Sequence, residues 1–194
     1  MMADNSVLIE RCQAGDERAG EALYHYYWES VFRLACGLLG DPSDAEEVAQ
    51  DSFAYALSHI TQYDVARSSF PTWLHMITVS RCRNRLHRHY LPWLSLTAWL
   101  QQGGDLHDPA PDPESRAIHS ETRSEVWRAV QALSLPLREA ILLRYWAGHT
   151  YQEMAHILGC PVPTAQSRVR LAYRRLRETL APALLADWEH EQVQ

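Results

Sequence analysis

The chain has 194 residues, of which 46% are hydrophobic, and a formal net charge of -6 at pH 7. This length allows one large domain or two small ones, each with a modest core. No apolar run approaches the roughly 20 residues that span a bilayer, and the N-terminus lacks the basic start and apolar stretch of a secretory signal. Four scattered cysteines without a CxxC pair argue against a disulfide framework, so we expect a cytoplasmic location.

Charge is distributed in blocks, and all 18 basic residues are arginine. The net charge is -8 over residues 1–60, +4 over residues 61–90, -4 over residues 91–115 and +4 over residues 136–180. Nucleic-acid affinity follows local positive patches rather than the sum over the chain. The two basic blocks are therefore candidate nucleic-acid surfaces in an acidic protein.

The first elements predicted along the chain are helices, and no sustained period-two alternation indicates a strand. A short helix is predicted over residues 7–14, ending at Gly15, and Asp16 can cap a long second helix that ends near Gly40 and Pro42. Its apolar positions follow the three-and-four spacing of a buried stripe. They are Leu23, Tyr27, Val31, Leu34 and Leu38.

A third helix is predicted from residue 43, where Ser43 and Glu46 have the spacing of a capping box. Its inner face comprises Val48, Phe53, Ala56, Leu57 and Ile60. Asp44, Glu47 and Asp51 share another face. The spacing favours a solvated acidic face or a protein contact over a carboxylate metal site, because no inward-facing histidine accompanies them.

A loop over residues 62–69 precedes a fourth helix, which we expect to begin near Pro71, since proline suits a first helical turn. The helix buries Leu74 and Ile77 and carries four arginines on its later turns: Arg81, Arg83, Arg85 and Arg88. His75, His87 and His89 lie near Cys82. Their spacing matches no standard zinc pattern, so a metal or redox sensor there is a minor alternative to a structural role.

Residues 91–115 separate two helical units. The segment 91–102 carries two tryptophans and four leucines. It is interpreted either as a short helix on the first unit or as a docking site for a partner protein. The segment 103–115 has the glycine, proline and acid content of a flexible linker.

The second unit carries the features of a helix-turn-helix. Two helices are predicted over residues 121–133 and 135–147. Thr150 and Glu153 then form a capping box that opens a helix ending at Gly159, and a last long helix begins near Pro163. Ala165, Val169, Ala172 and Leu176 form its buried stripe, and most of its arginines lie opposite. The second helix of such a motif enters the DNA major groove, so the sequence predicts duplex binding.

These segments together resemble a family. The stretches "DAEEVAQDSFAYAL", "FPTWLHMITVSRCRNRLHRH" and "LSLPLREAILLRYWAGHTYQEMAHILGCPVPTAQSRVRLAYRRLRETL", in this order around an acidic linker, are similar to bacterial RNA polymerase sigma factors of the extracytoplasmic-function type. The resemblance implies an all-α protein with two small helical domains. Sigma region 2 would cover residues 7–90 and sigma region 4 residues 118–181, with a flexible linker at 91–117 and an acidic tail at 182–194.

The resemblance also implies partners and site residues. The partners are the β′ and β subunits of core RNA polymerase, promoter DNA and an anti-sigma factor, with no membrane insertion, no cofactor and no enzymatic activity. Three sets of residues follow from it. Polymerase binding is expected from Glu47, Gln50, Asp51 and Phe53. Binding of the opened −10 strand is expected from Asp64, Arg81, Asn84, Arg85 and Arg88. Binding of the −35 duplex is expected from Thr164, Gln166, Ser167, Arg168, Arg170, Arg174 and Arg177.

Three other inferences accompany the resemblance. Tyr63, Phe70 and Trp73 can offer aromatic surface to unstacked bases, and Trp73 is assigned to the core. The acidic linker is interpreted either as an RNA mimic in the polymerase cleft or as a plain tether.

The chain departs from the family pattern at three positions. Ser80 replaces an asparagine, Pro163 replaces a glycine and Gln166 replaces a lysine in "PVPTAQSR". Two alternatives to an active sigma factor also stay open. One is an ordinary helix-turn-helix regulator that works without polymerase, and the other is a sigma-like decoy that occupies polymerase without starting transcription.

Overall fold

The computed structural model describes residues 5–90 and 117–180, with side chains over 5–87 and 124–180. The Trp-rich segment 91–102, the acidic segment 103–115 and the tail 182–194 lie outside the described residues, and so do the inferences made about them. The described residues form eight α-helices and no strand, as predicted. The helices are α1 (Ser6–Gln13), α2 (Glu17–Leu39), α3 (Pro42–Ser58), α4 (Phe70–Tyr90), α5 (Ala117–Gln131), α6 (Leu135–Ile141), α7 (Tyr151–Leu158) and α8 (Val162–Thr179).

Helix α2 begins and ends where the sequence indicates. The Asp16 carboxylate accepts hydrogen bonds from the backbone N–H groups of Arg18 and Ala19, which satisfies donors that an α-helix leaves free at its start. Gly40 ends the helix with φ +81°, a left-handed conformation that favours glycine. Four residues of the predicted stripe are buried, while Tyr27 is half-buried.

The start of α3 differs from the prediction. Asp41 is the capping residue, and its carboxylate accepts a hydrogen bond of 2.8 Å from the backbone N–H of Asp44. Pro42 then occupies the first turn, where its fixed φ fits the helix and its missing N–H is not needed. The capping box predicted at Ser43 and Glu46 was wrong, because the capping residue lies two positions earlier and Ser43 is already inside the helix.

Helices α1 to α4 form an N-terminal unit around an aromatic core. A short 3₁₀ turn, Ile60–Gln62, follows α3 and leads to the buried Tyr63. The rings of Tyr63 and Phe70 meet edge to face at a centroid distance of 5.4 Å. Both side chains are therefore part of the core, and the half-buried Trp73 packs against it, as its assignment to the core predicts.

Helices α5 to α8 form a C-terminal unit. Helix α6 continues without a break into a π-helical turn, Leu142–Trp146. The predicted capping box at the start of α7 is confirmed: the Thr150 hydroxyl accepts from the Glu153 N–H, and the Glu153 carboxylate accepts from the Thr150 N–H. Gly159 ends α7 with φ +64° and sets the turn into α8. The predicted stripe of α8 is fully buried.

The two units pack directly against each other. One continuous hydrophobic core contains Leu34, Leu38 and Val79 of the N-terminal unit together with Leu142 and Met154 of the C-terminal unit. The last turn of α2 also contributes backbone acceptors to this contact. Gln131 Nε2 donates to the Gly37 carbonyl at 2.8 Å, and Arg138 Nη1 donates to the Leu38 carbonyl at 2.8 Å. Carbonyls that a helix leaves unpaired at its end thus find their partners in the other unit.

A buried ion pair completes the contact between the units. Arg83 on α4 donates two parallel hydrogen bonds, of 2.6 and 2.7 Å, to the Glu139 carboxylate on α6. The Glu139 side chain is 2% exposed, and the Arg83 side chain is 38% exposed. Across the part of the chain that the structure describes, no helix is long and apolar enough to cross a membrane.

Candidate nucleic-acid and protein interfaces

The outer face of α8 is the more basic of the two candidate surfaces. Because its buried stripe faces the core, the opposite side is turned to solvent. Gln166, Ser167, Arg170, Arg174 and Arg177 are exposed, while Thr164 and Arg168 are half-buried. The structure therefore brings the predicted −35 residues onto one helix and leaves most of them accessible.

The arginines of this face have few acidic neighbours. Arg175 lies 3.8 Å from Glu178, one turn along the helix. Among the side chains described over 5–87 and 124–180, no carboxylate pairs with Arg168, Arg170, Arg174 or Arg177. Four guanidinium groups are thus available to an external anion such as a phosphate.

Pro163 fits the start of α8. Pro161 is the residue before the helix, so Pro163 lies in the first turn, where the backbone N–H has no acceptor within the helix. The departure from glycine at this position consequently leaves the helix intact.

The second candidate surface lies on α3 and α4. Glu47, Gln50 and Asp51 are exposed on α3, as predicted. Arginines of α4 reach across to them: Arg85 Nη1 donates to Glu47 Oε1 at 2.9 Å, and its Nη2 pairs with Asp44. Residues predicted for polymerase binding and residues predicted for strand binding therefore meet on one surface.

Arg81 belongs to the same surface. Its guanidinium lies 3.8 Å from the Asp51 carboxylate and 5.0 Å from the centre of the Tyr55 ring. This combination of an ion pair and a cation–π contact orders a long side chain against α3. Together, Arg81 and Arg85 fix the carboxylates that they contact.

Phe53 does not belong to this surface. Its ring is 2% exposed and lies 4.8 Å from the Tyr24 ring, measured between centroids. A side chain enclosed in this way cannot touch a partner protein without unfolding α3. Its predicted contact with polymerase is therefore corrected to a packing role beneath the acidic face.

The predicted strand-binding residues are spread along α4 rather than gathered at one point. Asn84 is exposed near the end of the helix, whereas Asp64 lies in the loop before its start. Helical rise puts about 20 Å between Phe70 and Asn84. The side chain of Arg88 lies outside the described side chains.

A cleft of about 560 Å³ opens beside the loop over residues 63–69. Its lining includes Tyr26, Tyr27, Asp64 and Phe70. The loop is held in shape by its own polar groups: the Asp64 carboxylate accepts from the Ala66 N–H at 2.9 Å, and the Tyr63 hydroxyl donates to the Ser68 carbonyl at 3.1 Å.

Helix α1 supports this cleft, a role that the sequence did not reveal. Gln13 Nε2 donates to the carbonyls of both Ile60 and Tyr63 at 3.0 Å, and Asn5 Nδ2 donates to the Tyr27 hydroxyl at 3.0 Å. These contacts join residues that are far apart in the chain. No local pattern signals them, so only the assembled fold identifies Gln13 as a support of the loop.

Of the residues considered as a sensor, His89 lies outside the described side chains, and the structure does not gather the other three into a metal site. His75 and Cys82 are buried, and His87 is exposed. Burial raises the pKa of the Cys82 thiol well above its usual range, so the thiol stays protonated and unreactive. Among the described side chains, no group of three or more histidine, cysteine, aspartate and glutamate residues is arranged to hold a metal ion.

The chain is similar to known proteins in both units. The Sigma-70 region 2 family matches residues 23–90, and the Sigma-70, region 4 family matches residues 123–176. The RNA polymerase sigma-H factor of Pseudomonas aeruginosa is 30% identical over 182 residues, which cover 91% of this chain and 94% of that protein. The ECF RNA polymerase sigma-E factor of Escherichia coli K12 is 32% identical over 187 residues, covering 93% of this chain and 96% of that protein.

Two solved structures share the fold. CnrH, in complex with the cytosolic domain of CnrY, is 21% identical with a TM-score of 0.64, and the match covers 89% of this chain and 94% of that chain. The sigma factor RpoE of Bartonella quintana, in complex with the anti-sigma factor NepR, is 23% identical with a TM-score of 0.61, covering 82% of this chain and 94% of that chain.

Proposed function

The chain belongs to the extracytoplasmic-function (ECF) group of the sigma-70 family of RNA polymerase sigma factors. On this basis we propose which of its surfaces bind promoter DNA and which bind core polymerase. It is an alternative sigma factor that directs promoter-specific transcription initiation. Such a factor is not itself an enzyme, because the polymerase makes the bonds. The observation that carries the assignment of surfaces is the arginine face of α8, on which only Arg175 has a carboxylate partner among the described side chains.

The −35 duplex binds the outer face of α8. Arg168, Arg170, Arg174 and Arg177 neutralise phosphates, while Gln166 near the start of the helix reaches base edges, where glutamine pairs well with adenine. Thr164 and Ser167 lie beside it. The Ser167 hydroxyl donates to the Thr164 carbonyl at 2.9 Å, which leaves its oxygen as an acceptor.

Core polymerase binds the acidic face of α3 through Glu47, Gln50 and Asp51. Their exposure supports this assignment. Arg81 and Arg85 then act as positioning residues, because they hold carboxylates of this face in place before the partner arrives. A face that is ordered in advance loses less side-chain entropy on binding.

The opened −10 strand follows α4 from the cleft to Asn84 and Arg88. The cleft has the volume and the aromatic walls to take an unstacked base, and Asp64 stands at its rim. Arg88, towards the far end of the helix, supplies a contact to the strand backbone. Arg81 and Arg85 are assigned to the acidic face, since their guanidinium groups already have carboxylate partners.

The proposal extends to location and regulation. A factor that works on the chromosome with polymerase acts in the cytoplasm. The RpoE structure of the same fold is a complex with an anti-sigma factor, so a protein of that kind is the expected negative regulator. The domain bounds 7–90 and 118–181 stay predictions.

Transcription from genomic DNA tests the proposal. Purified protein is mixed with bacterial core polymerase that lacks sigma and with fragmented DNA from the source organism, and transcript starts are sequenced. Discrete starts that share two upstream boxes are expected. A Gln50→Ala/Asp51→Ala variant should lose both the starts and co-elution with core, while Glu21→Ala, an exposed acid on α2, should keep both.

Two other outcomes would contradict an active sigma factor. Co-elution with core without any starts would favour the decoy. Neither starts nor co-elution, with retention of duplex DNA by the protein alone, would favour an ordinary helix-turn-helix regulator.

A further inference from the structure

Two histidines meet inside the contact between the units. His75 on α4 is 2% exposed, and His149, in the turn before α7, is 4% exposed. His75 Nδ1 lies 2.7 Å from His149 Nε2, with the two rings perpendicular. This distance is a short hydrogen bond, so one of the two facing nitrogens carries a proton and the other does not.

The neighbours of the pair define the direction of that bond. Ser30 Oγ lies 3.0 Å from His75 Nε2, and Glu153 Oε2 lies 3.7 Å from His149 Nδ1. If His149 Nδ1 had no proton, its lone pair would face a carboxylate. The favoured arrangement is therefore a single chain in which Ser30 donates to His75, His75 donates to His149, and the His149 Nδ1–H faces Glu153.

This chain runs from α2 through α4 into the C-terminal unit. Glu153 extends the link, because the Thr72 hydroxyl of α4 donates to its Oε1 at 3.1 Å. The same carboxylate belongs to the capping box of α7. From the π-helical turn, Arg144 Nη1 donates to the His149 carbonyl at 3.0 Å. On α2, Glu29, next to Ser30 in the chain, is exposed and pairs with the exposed Arg33.

Both histidines are neutral in this arrangement. Burial, and next the neighbouring His149, lowers the pKa of His75 to about 3. Burial also lowers the pKa of His149, although Glu153 acts in the opposite direction. A proton on His149 Nε2 would point at the His75 Nδ1–H and break their bond, and a proton on His75 would leave a cation in an apolar contact.

We propose that the chain Ser30–His75–His149–Glu153 is a proton-sensitive latch, which holds the two units together at neutral pH and releases them in mild acid. A histidine exposed by separation has an ordinary pKa of about 6.5. The docked form disfavours the charged ring. The resulting contribution to the free energy of docking is therefore fully present above that pH and is lost as the pH falls below it. Between pH 7.5 and pH 5.0, the docking equilibrium falls by about 30-fold for each histidine that responds fully.

Release has a consequence for transcription, and this step rests on the proposed function. The −10 and −35 elements lie about 25 base pairs apart, which is roughly 85 Å along B-form DNA. In the docked form, α4 and α7 touch through the latch and through Thr72–Glu153. The docked form is therefore a resting form, and an acidified cytoplasm enlarges the share of molecules ready to span a promoter.

Small-angle X-ray scattering of the full chain tests the latch without polymerase or DNA, so its result is independent of the proposed function. Circular dichroism at each pH checks that the helices persist. The radius of gyration should be nearly constant above pH 7 and should rise as the pH falls from 6.5 to 5.0. A His75→Gln/His149→Gln variant keeps hydrogen-bonding side chains but cannot titrate, so its radius should not change with pH.

His25→Gln is the matched control, because His25 is an exposed histidine of α2 and should leave the transition unchanged. A double variant that is already expanded at neutral pH would also support the latch, since docking would then depend on this pair. A wild-type radius that is constant from pH 7.5 to 5.0 overturns the proposal. So does a transition of the same size in the double variant, because another group would then be the sensor.

Discussion

At the scale of the residue, the arginines of this protein differ in whether they pair with a carboxylate, which the sequence alone does not show. Six of those in the described side chains pair with carboxylates: Arg11, Arg33, Arg81, Arg83, Arg85 and Arg175. Those of the outer face of α8 mostly do not. A guanidinium that already has a carboxylate partner must give it up before it can bind a phosphate, so the unpaired arginines are the better DNA contacts.

The first prediction concerns Arg170 and Arg174. Replacing both by alanine should weaken binding of the −35 duplex by the polymerase–sigma complex. Each lost phosphate contact should also lower the slope of log K against log salt by about one unit. Binding isotherms measured at several salt concentrations between about 50 and 200 mM give both the affinity and the slope.

Arg33→Ala is the control for that measurement. Arg33 is exposed on α2 and pairs with Glu29, so its removal changes the net charge by the same amount per residue without touching α8. An unchanged slope in the α8 variant, or an equal change in the control, would remove Arg170 and Arg174 from the interface.

At the scale of the element, α2 contains two buried glycines with different neighbours. A methyl group added at Gly37 would lie 2.7 Å from Leu142 Cδ1, in the other unit, and 3.3 Å from the Trp146 ring. A methyl group added at Gly20 would lie 3.5 Å from Cys12 Sγ, an ordinary contact within the N-terminal unit. The close approach at Gly37 is therefore what allows α2 to pack on the π-helical turn.

The second prediction compares Gly37→Ala with Gly20→Ala. Alanine favours a helix by about 1 kcal/mol over glycine, so Gly20→Ala should leave the free energy of unfolding equal or higher. Overpacking against Leu142 costs about 1–3 kcal/mol, so Gly37→Ala should instead lower the free energy of unfolding. Urea unfolding gives the free energies, and a larger radius of gyration should accompany Gly37→Ala alone. If the two substitutions change the free energy of unfolding and the radius of gyration equally, the close approach at Gly37 does not limit the packing of α2.

At the scale of the whole molecule, the two units share a core and a set of buried polar links. The Arg83–Glu139 pair shows what such a link requires. Glu139 is almost fully enclosed, so its carboxylate depends on Arg83 for compensation. Removing one partner of a buried pair costs more than removing both, because a single charge is then left without its counterpart.

The third prediction follows from that asymmetry. Arg83→Met should lower the free energy of unfolding by about 2 kcal/mol, less than for a fully enclosed pair because Arg83 is partly exposed. Arg83→Met/Glu139→Met should recover most of the loss. The exposed pair Arg33–Glu29 is the matched control, with an expected coupling below about 0.5 kcal/mol in a double-mutant cycle. Additive losses at Arg83 and Glu139 would show that the pair does not link the units.

Much of the local structure and the exposed basic face of α8 could be predicted from the sequence. The caps at Asp16, Thr150 and Gly159 and the buried stripe of α8 depend on residues within one or two turns of each other, so a local pattern is enough to place them. The start of α3 differs from the prediction because Asp41, two residues before Ser43, also has a side chain that can cap a helix. The geometry that chose Asp41 is visible only in the folded chain.

The sequence by itself therefore determined the all-α class, the order of the two units and the basic face of α8, since periodicity and charge spacing are properties of short stretches. Only the tertiary structure decided which arginines are already paired, that Phe53 lies beneath its surface rather than on it, and that His75 meets His149. Each of these depends on contacts between residues far apart in the chain. Such contacts are set by how the helices pack, because a side chain's partners and its exposure to water exist only after the core has formed.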